Sequence, residues 1–202
     1  MIIIGLTGSI GMGKSTAASM LQSLGIPTHD SDTAVHDILS NDPKAITAIK
    51  TAFPRWRYFG LYTRGGINRK TLGKIVFKNE AKRKMLEGIL HPRVQKCQSD
   101  FIRQQRTSGK DMVALDIPLL FETGAEQRVD VTINVSAPAH IQAARVLARP
   151  NMSEEKFAAI KAAQMDDAEK SARADYVLPS GLGRAHMIKE LKKIILQIRD
   201  NK

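Results

Sequence analysis

Residues 8–15 read Gly-Ser-Ile-Gly-Met-Gly-Lys-Ser, directly behind the apolar opening Met-Ile-Ile-Ile-Gly-Leu-Thr of residues 1–7. The eight residues complete the phosphate-loop pattern G-x-x-x-x-G-K-[ST], and their placement carries as much weight as the match. Such a loop needs a buried parallel strand to launch it and a helix to receive it. Residues 1–6 supply the strand, and Ser15-Thr16-Ala17-Ala18-Ser19-Met20-Leu21 the helix. The glycines let backbone N–H groups converge on a polyphosphate, and the helix start adds its positive dipole end. Gly8, Gly11, Met12, Gly13, Lys14, Ser15 and Thr16 are therefore the expected nucleotide-binding set. Lys14 is placed to reach the β- and γ-phosphates, and the Ser15 hydroxyl to help hold Mg²⁺. The pattern predicts binding of a nucleoside triphosphate.

Outward from the loop, strands and helices alternate, which predicts an α/β fold with a parallel sheet and helices on both faces. A short second strand is expected at 27–29. Helices then follow over 33–40, 43–53, 68–78, 80–90 and 92–105, interrupted by an irregular aromatic stretch at 54–66. A helical block this long exceeds what a crossover needs and reads as an inserted subdomain. Strand character returns at 112–116 and 129–135. Pro138 opens a helix to about 149, and Ser153 opens another expected to run toward Lys170. A last strand at 176–178 precedes an amphipathic helix with Met187, Leu191, Ile194, Ile195 and Ile198 on its apolar stripe.

At 202 residues the chain has material for one good core with an insertion. It shows no apolar run long enough to span a bilayer, and no basic region ahead of the first strand to make it a secretory signal. Cys97 is the single cysteine, which excludes disulfide frameworks and cysteine zinc sites and fits a reducing, cytoplasmic setting. Cys97 reads as a packing residue rather than a nucleophile. The net charge is +11, from 31 Lys and Arg against 20 Asp and Glu. Nucleic-acid binding and a cleft for small anions both fit that excess. The cations are scattered (Arg55, Arg57, Arg64, Arg69 and Lys70 among them) and aromatics are only 5%, so the small polyphosphate ligand is favoured. Trp56, Tyr58, Phe59 and Tyr62 form the one aromatic cluster. It reads as a loop folded over a core or pocket, the alternative being a stacking platform.

Phosphoryl transfer also needs an oriented acceptor, magnesium and cationic stabilisation of the group in flight. Asp30 and Asp32 end the second strand, the side of an open α/β sheet that lines the ligand crevice. Either is able to orient an acceptor hydroxyl or to contact magnesium; Asp32 would also serve as a helix N-cap. Asp116 ends the third strand, where a carboxylate holds magnesium through water or simply caps the strand. Glu122 reads as an acceptor contact or a solvated loop charge. Arg145 and Arg149 share a helical face just before a Pro-Asn break, the layout of a lid that brings guanidinium groups onto phosphates. His91, ahead of Pro92, has no partner at metal-ligand spacing. The guanine-reading N-K-x-D and the D-x-x-G of switch GTPases are both missing, leaving a small kinase acting on a hydroxyl.

These residues resemble the dephospho-coenzyme A kinase family along nearly the whole chain. The similarity runs through IGLTGSIGMGKST (4–16), the D-x-D of Asp30 and Asp32, INRKTLGKIVF (67–77) and ILHPRV (89–94). It continues through DIPLLFE (116–122), Arg145 and Arg149, Gln164 and ADYV (174–177). The loop is common to many proteins; the spaced LHP and PLLFE segments are far more specific. The resemblance implies ATP and dephospho-CoA as the small-molecule substrates, with phosphate placed on the ribose 3′-hydroxyl. It implies a core over about 1–31, 108–138 and 172–202, a helical acceptor-binding insertion over 32–107 and a lid over 139–171. Asp32, Lys14 and Arg145 then fall on catalytic positions, and His91, Pro118, Leu119, Leu120 and Glu122 on the acceptor side. Mg²⁺ would accompany ATP, no nucleic acid or membrane would be bound, and the protein would be a monomer or weak homo-oligomer. The chain departs from the family at His36, where arginine is common, at Pro150, and at the short Pro179-Ser180-Gly181 turn.

Overall fold

The computed structural model describes residues 1–63, 66–77 and 79–201. Arg64, the Gly65 of the expected irregular stretch and the expected helix end at Lys78 lie outside them. The chain forms two compact units, one of residues 1–29 with 104–202 and one of residues 30–103.

The first unit is built on a five-stranded parallel sheet. Strand β1 (Ile2–Thr7) lies at its centre, between β5 (Met112–Asp116) and β6 (Val131–Ser136). The registers Ile2↔Met112 and Ile4↔Val131 fix all three strands in one direction. Strand β2 (Thr28–Asp30) flanks β5, and β7 (Tyr176–Pro179) closes the other edge. The chain passes from β1 to β2 on one side of the sheet and later from β5 to β6 on the other, which opens a crevice at the C-terminal ends of the central strands. Ile4, Leu6, Val113, Ala114, Ile133 and Val135 are wholly buried, as a sheet covered on both faces requires. Helix α1 (Lys14–Ser23) and helix α9 (Arg184–Asp200) cover it, and every residue of the expected α9 stripe is buried. The helix expected to run toward Lys170 is two helices, α7 (Glu154–Ala162) and α8 (Asp167–Arg173). Ser153 caps the first through the Lys156 amide, and Asp166 caps the second through that of Ala168. A second capping acid inside the stretch offers the backbone a fresh start, which the 3.6-residue period alone does not reveal.

The second unit is helical, with a core of Ile49, Phe53 and Leu61, all wholly buried, surrounded by Leu39, Leu72, Leu86 and Leu90. Cys97 packs against this core, partly buried. Helices α2 (Ser31–Asn41), α3 (Pro43–Ala52) and α4 (Arg69–Phe77) match their expected positions; between α3 and α4 the two-stranded pair β3 (Tyr62–Thr63) and β4 (Gly66–Ile67) forms. The expected break at His91-Pro92 does not occur. Helix α5 (Glu80–Thr107) runs through Pro92. Four residues back stands Gly88, the smallest residue where the proline ring crowds the carbonyl, and Arg93 Nη1 donates to Ile89 O at 2.6 Å. Of the aromatic cluster, Tyr58 meets Phe53 edge-on at 5.5 Å, whereas Trp56 and Phe59 stay 83% and 99% exposed.

Asp42 holds α3 to α5. Its Oδ1 accepts from the Lys44 and Ala45 amides at 2.8 and 3.0 Å, and its Oδ2 lies 3.3 Å from Arg93 Nε. The Ala45 amide foremost, then the Lys44 amide and the Arg93 guanidinium, hold its carboxyl below the ordinary carboxylate pKa. Because the folded-state pKa is depressed, the stabilisation is complete above the ordinary value and disappears as pH falls through the depressed one. Asp42→Ala is expected to cost about 1–2 kcal/mol at pH 7, the size of a missing N-cap. Thermal melts of both proteins between pH 7 and pH ~3 check this: the gap should close toward the acid end.

Candidate active site

The phosphate loop joins β1 to α1 and takes backbone shapes that side chains resist. Gly11 and Gly13 have φ of 80° and 95°. A Cβ on Gly11 would stand 2.5 Å from Val146 Cγ2 and 3.0 Å from Gln142 O, so the loop is seated tightly on helix α6 (Ala139–Leu147). Two glutamines fix its middle: Gln142 Nε2 donates to Ile10 O at 2.8 Å, and Ile10 N donates to Gln164 Oε1 at 3.0 Å. The Ala137 amide meets Met12 Sδ at 3.2 Å. No side chain caps α1 and no acid stands in its first turn. An uncapped helix start on a preformed glycine loop leaves donors and dipole to an anion. Ser9 Oγ is buried without a hydrogen-bond partner among the described residues, and Ser9 lines a cavity of about 170 Å³ shared with Lys161 and Asp166. A buried hydroxyl calls for a hydrogen-bond partner, and a ligand oxygen or an ordered water supplies one.

Lys14 reaches back across the sheet end to Asp116, and the ammonium and carboxylate are in direct contact. Their side chains are only 15% and 7% exposed. The register Leu6↔Asp116 produces this meeting, because it ends β5 beside the strand that launches the loop. Ser15, next to Lys14, is exposed at the helix start.

After β5 the chain is pinned by a buried ion pair. Lys170, with its side chain fully buried, lies 2.9 Å from Glu122 Oε1 and donates to Pro118 O at 3.1 Å. The same Glu122 oxygen accepts from Met165 N at 2.9 Å, and Thr7 Oγ1 donates to Pro118 O at 3.1 Å. Glu122 is thus not a solvated loop charge: its Oε1 joins the 116–122 segment to α8, while its Oε2 is buried with no hydrogen-bond partner among the described residues. Removing one member leaves the other charge buried and unpaired, the costly case. Glu122→Gln is expected to cost about 2–3 kcal/mol, read as a lowered urea midpoint at unchanged slope. Leu120 is wholly buried, Leu119 is 37% exposed, and Pro118 partly so.

Arg145 and Arg149 do not share a helical face as expected: Arg145 is on α6, whereas that helix ends at Leu147 and Arg149 lies beyond it. Arg145 Nη1 donates to Ser180 Oγ at 2.9 Å and Gly11 O at 3.4 Å, and Nη2 to Ser180 O at 2.6 Å. Ser180 Oγ in turn donates to Met12 O at 2.5 Å. This guanidinium therefore lies against the phosphate loop, tied to the turn after β7. Arg149 is exposed, just before Asn151, whose φ of 61° marks the break after α6.

In the helical unit, Asp30 is the N-cap of α2, in place of the expected Asp32. Its Oδ1 accepts from the Asp32 and Thr33 amides at 2.9 and 3.1 Å, and its Oδ2 from Thr33 Oγ1 at 2.8 Å. The Asp32 side chain is exposed in the first turn. The sequence puts both acids at this corner, and the cap geometry separates their tasks. His91 is exposed on α5. Sequence reasoning does not single out Gln142, Ser180 or Lys170. Gln142 alone carries a signal, standing three residues before Arg145 on one helical face.

A family model described as dephospho-CoA kinase matches residues 2–182. A dephospho-CoA kinase of Paramagnetospirillum magneticum is 48% identical over 202 residues, covering 100% of this chain and 93% of that protein. One of Mesorhizobium japonicum is 46% identical, covering 98% of each. The solved dephospho-CoA kinase of Campylobacter jejuni superposes with a TM-score of 0.65 at 26% identity, covering 97% of this chain and 96% of that one.

Proposed function

The chain belongs to the dephospho-CoA kinase family, and from that premise we propose how its own residues divide the work. The reaction is transfer of the γ-phosphoryl group of ATP to the 3′-hydroxyl of dephospho-CoA, giving CoA and ADP. The 3′-oxygen forms a bond to the γ-phosphorus as the bond to the β,γ-bridging oxygen breaks, and the hydroxyl proton must leave. We assign that proton to the Asp32 carboxylate, which the cap geometry leaves facing solvent while Asp30 holds the helix start.

Gly8, Gly11, Met12, Gly13, Lys14, Ser15 and Thr16 wrap the triphosphate with backbone amides. Lys14 turns from Asp116 to the γ-phosphoryl. Arg145 supports the loop from behind and adds positive charge, and Arg149 is the arginine free to reach phosphate oxygens. His91, Pro118 and Leu119 belong to the acceptor side. The Ser15 hydroxyl and the Asp116 carboxylate are hard oxygen donors at one end of the sheet, a set that suits Mg²⁺. No cluster of three or more metal-ligating side chains occurs among the described residues, so ATP and water would complete the shell. Bound there, the ion would neutralise charge shared by the β- and γ-oxygens. Residues 1–31, 108–138 and 172–202 serve as nucleotide core, 32–107 as acceptor-binding insertion and 139–171 as lid. Among the described residues no helix is long and apolar enough to cross a membrane. We place the protein in the cytoplasm as a monomer or weak homo-oligomer that binds no nucleic acid.

The uncapped start of α1, with Lys14 held beside it on Asp116, is the observation that carries this reading. Steady-state kinetics with MgATP should give turnover on dephospho-CoA and little on AMP, dCMP or shikimate. Chelating the metal should abolish it. Turnover confined to the other acceptors would reject the assignment of roles to the insertion.

A further inference from the structure

The helical unit contains a cavity of about 830 Å³ at the far end of α2 from Asp32. Ser40 and Asn41 close α2 on one side of it, Tyr62 and Thr63 of β3 stand on another, and Lys50 and Arg55 bring two cations. Gly66 lines it too, and is there for a steric reason. With φ of 105°, its missing Cβ would lie 2.8 Å from Leu39 O, so the pair β3–β4 is drawn onto the end of α2. Both cations are exposed, and neither makes a hydrogen bond or ion pair among the described residues. No acid is among the described residues lining the cavity. Asp37, one turn back on α2, is occupied by Asn41 Nδ2 at 2.6 Å. The carbonyl end of α3, which would repel an anion, is covered: Tyr62 Oη donates to Phe53 O at 2.5 Å, with Ile49 O at 3.3 Å.

We propose that this cavity is an acceptor subsite in which Lys50 and Arg55 hold the diphosphate that links the ribose of dephospho-CoA to its pantetheine arm. The inference rests on the assignment of Asp32 to the 3′-hydroxyl. Eight residues of helix separate Asp32 from Ser40, about 12 Å at 1.5 Å per residue. A ribose carrying a 5′-diphosphate spans the better part of that distance, and long Lys and Arg side chains close the remainder. The hydroxyls of Ser40 and Thr63 and the apolar walls of Ile46 and Tyr62 suit the amide-containing arm beyond it. The cavity then selects acceptors by their anionic tail, away from the reacting hydroxyl. It adds a reason for the helical unit to be present at all.

The test is the double variant Lys50→Ala/Arg55→Ala, with adenosine as an acceptor that has the ribose hydroxyls but no diphosphate. The ratio of kcat/KM for dephospho-CoA to that for adenosine should fall about tenfold or more, as expected when charge-assisted hydrogen bonds to a phosphate are removed. KM for dephospho-CoA should carry the change. Trp56, the single tryptophan and 83% exposed beside Arg55, gives a second readout. Its emission should titrate with dephospho-CoA in the wild type, and the midpoint should move to higher concentration in the variant. An unchanged ratio with an unchanged Trp56 midpoint overturns the subsite, and an equal fall on both acceptors does so too. A wild type that fails to phosphorylate dephospho-CoA would instead sink the proposed function, and the Trp56 titration would still decide the cavity.

Discussion

Lys14→Ala is expected to abolish turnover, with kcat/KM down by ~10³-fold or more, and to weaken MgATP binding in calorimetry. Lys14 is the cation that the glycine loop itself carries, and no backbone dipole replaces a full charge on the transferring phosphoryl. The structure adds a second consequence. Asp116, 7% exposed on its side chain, loses the ammonium it now touches and becomes a buried carboxylate without that partner. The variant should therefore also melt at a lower temperature. Lys14→Ala/Asp116→Asn separates the two effects, because it removes the carboxylate charge without restoring the cation. The double variant should regain most of the melting temperature and none of the turnover. Recovery of turnover would mean that Lys14 acts by holding Asp116 rather than by touching phosphate. Arginine at position 14 is no rescue, since its planar fork differs in shape and reach from an ammonium.

The fold was largely legible because its signals are local and repeated. Strand β5 is legible to the residue as a short continuous run buried on both faces, and the α9 stripe is legible in full, since burial on one helix face leaves an unmistakable period. What misled were places where one residue type serves opposite ends. Pro92 reads as a helix start and is instead carried inside α5, with Gly88 a turn before it. Asp30 and Asp32 are equally good caps by composition, and only the backbone turn at 30 decides between them. At the candidate site the loop was visible because it is contiguous. The contacts that steady it were not: Gln142 and Ser180 lie 132 and 168 residues from their partners Ile10 and Met12. Lys170 is a sharper case, since a lysine is expected at the surface and nothing nearby in the chain shows that Glu122 waits for it. Arg145 illustrates a half-read residue. Its spacing from Arg149 implies a shared helical face, but α6 ends at Leu147, and tertiary contacts bind Arg145 to the loop while Arg149 stays exposed beyond the helix.

Asp32→Asn is the second decisive substitution, and it is expected to lower kcat by ~10²–10⁴-fold with the Kd for MgATP nearly kept. The amide is almost the same size as the carboxylate and sits in an exposed first turn, so the fold has little to lose. What disappears is an oxygen able to take the 3′-hydroxyl proton and align its lone pair on phosphorus. Asp30→Asn supplies the contrast. Its carboxylate accepts from two backbone amides on one oxygen and from the Thr33 hydroxyl on the other, and asparagine is itself a good N-cap whose single oxygen keeps the two amide bonds and gives up only the bond from the hydroxyl. That variant should keep most of its kcat and lose little stability, whereas Asp30→Ala should cost about 1 kcal/mol through the unprotected start of α2. The pair of asparagine variants thus tells chemistry from capping at a corner where sequence alone allowed either order. If Asp32→Asn turned over normally while Asp30→Asn did not, the roles would be exchanged, and α2 would have to shed its cap to let Asp30 reach the acceptor.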